Sequence, residues 1–190
     1  MASRLLIIAH AETPGSREMV FGDTSLPVAT EPRWDIRVER WVSAPDPACR
    51  ATAEQIGSAV TIADDLAGGD FGRWAGRTLV DVGVAEPEAV ASWLSDPYAA
   101  PHGGESLAAM VARVGTYLDG ADWPDGRSAA VVTPMVARAL VVHALGAAPE
   151  VIFRIDVPLL GRASISRSGP HWRLQELTQP AAGHTAARFT

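Results

Sequence analysis

The sequence predicts an α/β fold: a three-layer α/β/α sandwich around a mostly parallel central sheet. Three observations carry that expectation. Short, continuously apolar runs of strand length recur along the chain, stretches with helical spacing separate them, and no repeat or composition break divides the 190 residues. Continuous rather than alternating apolar character marks strands covered on both faces, and strands alternating with helices build parallel sheets.

The elements follow in order. Arg4-Leu5-Leu6-Ile7-Ile8-Ala9 is the first strand, and it delivers His10 into a polar loop. Residues 14–37 are rich in Pro, Gly and charge and read as a long functional loop with a weak helical stretch. Arg40-Trp41-Val42-Ser43 is the next strand, after which Asp46 and Pro47 supply an N-cap and a first-turn proline for a helix to about Ser58. Val60-Thr61-Ile62 is a short strand, followed by an irregular segment over residues 70–78.

Residues 86–95 form a short helix, and Pro101-His102-Gly103-Gly104 is a loop. Glu105-Ser106 then opens a helix with Leu107, Met110, Val111, Val114 and Leu118 along one face. Ala129-Ala130-Val131-Val132 is a buried strand, and residues 135–145 make an apolar helix closed by Gly146. Ser164-Ile165-Ser166 and Trp172–Leu177 alternate apolar with polar residues, as in a terminal hairpin or meander. The expected organisation is one domain over residues 1–178 and a flexible, Ala-rich tail over 179–190.

Composition narrows the function. A hydrophobic fraction of 47% with 20% charged residues suits a globular chain, and a net charge of −6 opposes binding to nucleic acid through a broad basic face. All 16 basic residues are Arg, which removes lysine chemistry and leaves guanidinium forks for carboxylates or phosphates. Cys49 is the one cysteine, so neither a disulfide nor a thiolate metal site is expected. No His-x-His, Asp-x-Asp or carboxylate cluster suggests a metal, and no cofactor is expected. No signal-peptide pattern opens the chain, and no apolar run approaches the roughly 18–20 residues of a membrane span. The expected setting is cytoplasmic, without membrane partners, and the pattern leaves the oligomeric state open.

In open α/β sheets, ligands sit at the carboxyl ends of the strands. His10 follows the first strand and Thr133-Pro134 follows Val131-Val132, so both ends can face one cleft. Five segments resemble the histidine phosphatase (phosphoglycerate mutase-like) superfamily, in its order and across most of the chain. They are the strand ending in His10, Ser43-Ala44-Pro45 with Arg50-Ala51, Phe71-Gly72-Arg73-Trp74-Ala75-Gly76-Arg77-Thr78, Gly103-Gly104-Glu105-Ser106 and, more loosely, Phe21-Gly22-Asp23-Thr24-Ser25-Leu26-Pro27. The resemblance implies the phosphoglycerate mutase-like fold and a phospho-histidine mechanism. His10 would attack phosphorus, Glu105 would serve as general acid or base, and Arg50 would grip the anion.

The sequence departs from that pattern at three points. Ala9 and Ala11 replace the Arg and Gly that flank the histidine, and Thr133 or Pro134, depending on where a gap falls, takes the place of the second histidine. Arg17 in the following loop, and then His102 beside Glu105, are the candidates to replace the lost positive charge. Thr133 is the remaining candidate contact to an anion. Loss of even one preorganised donor costs about 3 kcal/mol of transition-state stabilisation.

The expected function is therefore a divergent superfamily enzyme acting on a small anionic metabolite, with ordinary phosphatase activity weak or lost. A phosphomonoesterase working through phospho-His10 and a non-catalytic binding module are the alternatives.

Overall fold

The computed structural model describes residues 2–28, 34 and 36–180. Six strands form one sheet: β1 (Ser3–Ala9), β2 (Arg40–Ser43), β3 (Thr61–Ile62), β4 (Gly126–Val132), β5 (Arg162–Arg167) and β6 (Trp172–Thr178). Their order is β3-β2-β4-β1-β5-β6. β1, β2, β3 and β4 run parallel, whereas β5 is antiparallel to both β1 and β6. The expected α/β/α sandwich with a mostly parallel sheet is thus the observed architecture, and the terminal alternating segments form an antiparallel hairpin. From residue 181 onward the expected tail lies outside the described residues, as do 29–33 and 35 of the long loop.

Among the described residues six α-helices accompany the sheet: α1 (Pro14–Arg17), α2 (Pro47–Ile56), α3 (Leu79–Ala85), α4 (Pro87–Ser95), α5 (Leu107–Gly120) and α6 (Pro134–Ala144). The core lies where β1 and β4 meet their neighbours. Leu5, Ile7, Ile8, Leu107, Leu118, Leu140 and Ile165 are at most 1% exposed, each contributing roughly 1.5–3 kcal/mol by burial. No described helix is long and apolar enough to cross a membrane.

Two helices escape a reading by apolar runs. α1 is a single turn held by a capping box between Thr13 and Ser16. α3 starts where the Thr78 side chain accepts the backbone N–H of Asp81. Short polar caps of this kind outweigh the weak periodicity of the residues they precede.

The irregular segment before α3 is locked to the loop before α5. Arg73 N–H donates to the His102 carbonyl and Glu105 N–H to the Asp70 carbonyl. The backbones approach so closely that a Cβ at Gly72 would stand 2.3 Å from the His102 oxygen, and one at Gly104 2.2 Å from the Asp70 oxygen. Gly72 also has φ +46°. Only glycine fits at either place.

Candidate active site

The carboxyl ends of the neighbouring parallel strands β2, β4 and β1 lie side by side at one end of the sheet, and His10 follows β1 there. Its backbone N–H donates to the Val132 carbonyl at 3.0 Å, extending the β1–β4 ladder, and its carbonyl accepts from Leu160 N–H at 3.2 Å. The next residue is held as firmly: Ala11 N–H donates to Thr52 Oγ1 on α2 at 3.0 Å, while the Thr52 hydroxyl donates to the Ala48 carbonyl at 2.7 Å. The Ala11 carbonyl lies 2.7 Å from His10 Nδ1. A carbonyl can only accept, so Nδ1 carries the proton and Nε2 keeps its lone pair. Nε2 has no hydrogen-bond partner among the described residues.

The imidazole is 8% exposed. Burial holds its pKa below the ordinary 6.5, and the Ala11 carbonyl and the charges of Asp46 and Asp23 oppose that shift without cancelling it. At neutral pH the ring is an uncharged base.

Asp46, just after β2, takes the Gly68 N–H on its carboxylate at 3.0 and 3.2 Å. A Cβ at Gly68 would stand 2.6 Å from Asp46 Oδ1 and 3.3 Å from Thr133 Cγ2. The Asp46 carboxylate therefore occupies space that any side chain at position 68 would need, next to Thr133. Asp23 accepts hydrogen bonds from the Thr13 hydroxyl and from the backbone and hydroxyl of Ser25. Burial pushes its carboxyl up, but the bonds from Ser25 and Thr13 outweigh burial and hold it below the usual carboxylate value.

The other sequence-predicted residues divide sharply. Thr133 follows β4 at the same end of the sheet, yet its hydroxyl accepts the Val136 N–H and caps α6. Glu105 is gripped by both prongs of Arg113, Nε to Oε1 at 2.8 Å and Nη2 to Oε2 at 2.7 Å, and Arg113 Nη1 donates to the Asp65 carbonyl at 2.7 Å.

Arg50 is not brought to His10. The residues of α2 that face inward are Ala48, Cys49, Thr52 and Ala53, and at 100° per residue Arg50 falls on the opposite side. There it is exposed and lines a cavity of about 400 Å³ with Glu54, Gly57, Ala59, Val60 and Ile62. Arg17 is 57% exposed and paired with Glu12 at 2.8 Å. His102 is 1% exposed, sealed between Trp74 and Phe71 with ring centroids 5.0 and 5.8 Å away. Its Nδ1 accepts the Gly104 N–H, which leaves a buried Nε2 without a partner.

Asp46, Asp23, Gly68 and Arg113 do not stand out in the sequence as site residues. Asp46 reads as a helix cap, although its place at the carboxyl end of a parallel strand is the signal that could have flagged it.

A model of the histidine phosphatase superfamily (branch 1) matches residues 31–180, a span that begins after His10. The bifunctional protein Rv2228c of Mycobacterium tuberculosis and the uncharacterized protein Mb2253c of Mycobacterium bovis are each 28% identical to the chain over 178 residues. Those matches cover 83% of this chain and 48% of each relative, so the chain spans about half the length of the curated relatives it matches. Among solved structures, mycobacterial glucosyl-3-phosphoglycerate phosphatase is similar with a TM-score of 0.75 at 20% identity, over 92% of this chain and 97% of that one. The alpha-ribazole phosphatase from Shigella flexneri gives 0.76 at 19% identity, over 93% and 96%. At such identities the likeness is one of fold. Because the family match takes in most of the chain and the sheet is shared along nearly all of it, the chain belongs to the histidine phosphatase superfamily.

Proposed function

We propose that the chain is a divergent enzyme of this superfamily that acts on a small molecule through His10, with ordinary phosphomonoester hydrolysis weak or absent. One observation carries the reading. Among the described residues, the charges that act on buried His10 are the carboxylates of Asp46 and Asp23, and Arg113, whose guanidinium feels the Asp46 charge, is committed to Glu105.

A transferring phosphoryl group needs positive charge around it. Carboxylates that act on the same site oppose such a group instead, since like charges repel. The amino end of α6 offers about 1 kcal/mol in the other direction. Even that is blunted, since Pro134 has no N–H and Thr133 already takes the N–H of Val136.

The same two carboxylates favour an imidazolium. His10 Nε2 would accept a proton from a substrate O–H or N–H while Nδ1–H stays on the Ala11 carbonyl. Asp46 and Asp23 would offset the charge that forms. That is general-base catalysis, a contribution of about 10²- to 10⁴-fold. Glu105 joins such a step only by exchanging Arg113 for substrate. Arg50, on the far side of α2, supports no anchoring role at His10.

A second reading keeps phosphoryl transfer through phospho-His10. It is favoured by the free Nε2 behind a fixed Nδ1–H and by the phosphatases that share the fold. Incubation with 4-nitrophenyl phosphate separates the two readings. The expected result is trace turnover and no acid-labile phosphate on the protein. Robust turnover that disappears in His10→Ala would overturn the proposal in favour of the phosphatase.

A further inference from the structure

We infer that Arg162 anchors an oxyanion of the substrate, a carboxylate or a phosphate, one strand away from the atom on which His10 acts. The inference rests on the proposed role of His10 as the base and adds where the rest of the substrate is held.

Backbone pairing fixes the two residues side by side. Arg162 opens β5 and pairs directly with Ile8 of β1. Beyond that pair the chains stay joined: Ala9 N–H donates to the Gly161 carbonyl at 3.0 Å, and Leu160 N–H to the His10 carbonyl at 3.2 Å. Side chains alternate along a strand, so Ile8, His10 and Arg162 share one face of the sheet. Diagonal neighbours of this kind lie roughly 7–8 Å apart, within reach of a long side chain. The turn that joins them holds Leu160 at φ +57°, a left-handed backbone that leucine rarely adopts.

The guanidinium is presented rather than spent. Among the described residues three arginines lie over tryptophan rings: Arg40 over Trp123, Arg167 over Trp172, and Arg162 over Trp34 at 5.0 Å from the ring centre. Arg40 and Arg167 each also donate to a backbone carbonyl, of Asp122 and of Asp119. Half-buried Arg162 has neither such a bond nor an ion pair among the described residues. Packing on a ring occupies the face of the guanidinium and leaves its in-plane N–H donors as a fork for a carboxylate or phosphate.

Strand order gives His10 two unlike flanks. In β2-β4-β1-β5, Asp46 follows β2 on one side of it and Arg162 opens β5 on the other. A substrate that offers Nε2 an O–H or N–H and extends an oxyanion toward β5 meets positive charge there and keeps its own charge away from the carboxylates.

Titration of the full chain with phenylacetate, phenylphosphonate and neutral phenylacetamide tests the inference by binding alone. The readouts are the His10 imidazole C–H and Arg162 Nε–H resonances. At least one oxyanion is expected to shift both to saturation, with the amide on the order of tenfold weaker. The tighter oxyanion identifies the group as carboxylate or phosphate. In Arg162→Gln its affinity is expected to fall on the order of tenfold, and in Arg162→Lys, which keeps the charge without the fork, by less. Arg50→Gln, which removes an exposed guanidinium on the far side of α2, leaves it unchanged.

Equal affinity for the amide, no saturable oxyanion shift, or an equal loss in Arg50→Gln would each overturn the inference. The first comparison needs only the unmodified chain, so it holds even if Arg162→Gln does not fold. Turnover of an aryl phosphate would sink the proposed function without touching the titration, so the two fail separately.

Discussion

His10 and His102 are both buried, both held below the usual imidazole pKa by desolvation, and both tied to the backbone through Nδ1. The backbone partner makes them opposites. His10 faces a carbonyl, so its proton sits on Nδ1 and its lone pair is left open on Nε2. His102 faces the N–H of Gly104, so its lone pair is consumed and its proton sits on Nε2, enclosed by Trp74 and Phe71. Burial and pKa direction are nearly the same in the two. A single peptide group separates a base from a packing residue.

The comparison can be broken most forcefully by chemistry at Nε2. Diethyl pyrocarbonate needs an unprotonated, reachable ring nitrogen, and mass-spectrometric mapping should find His10 labelled on the order of 10² times faster than His102, whose ring reacts only through opening of the core. Comparable rates would show that the two environments are not distinct.

Truncation gives the converse result. His102→Ala empties a site among aromatic rings and should cost about 2–4 kcal/mol in denaturant unfolding. His10→Ala, at the end of β1, should cost less than about 1.5 kcal/mol while removing any turnover that depends on Nε2.

A third variant attacks the clamp rather than the ring. Thr52→Val leaves the Ala11 N–H buried without an acceptor, at a cost of about 1–3 kcal/mol. It should also shift the His10 imidazole ¹⁵N resonances toward the other tautomer. Unaltered ¹⁵N shifts would place control of the tautomer elsewhere.

The smallest effect is pH dependence. Both rings have folded pKa values below the ordinary 6.5, so the unfolded chain binds more protons and stability rises with pH. The contribution is complete above about 6.5 and is lost as pH falls below it, by at most about 1.4 kcal/mol per pH unit for each ring. Replacing either histidine by Gln should flatten the dependence of Tm on pH between 6.5 and 5, and the double variant should flatten it further.

The contrast also explains what could be read in advance. The strands around β1 and β4, the apolar face of α5 and the placement of His10 at a strand end all follow from local pattern, because burial on both faces of a sheet dictates continuous apolar runs. Arg50 shows how a motif can mislead where periodicity does not. Ala48, Cys49, Thr52 and Ala53 already mark the inner face of α2 in the sequence, and Arg50 lies off it. Glu105 and His102 were not legible in the same way. Arg113 lies eight residues beyond Glu105, outside the i,i+3 and i,i+4 pairs that a helical pattern flags, and the aromatic walls of Trp74 and Phe71 arrive from a segment distant in sequence. Asp46 was visible only as a cap, because its second role appears when β4 brings Thr133 alongside it.

The Thr52 hydroxyl has one more effect. It joins the N–H of Ala11 to the carbonyl of Ala48, so the loop that carries the base is fastened to α2 rather than floating above the sheet. The carbonyl that holds Nδ1–H therefore belongs to a residue that is itself anchored, and the Nε2 lone pair keeps its place in the molecule for as long as that anchorage lasts.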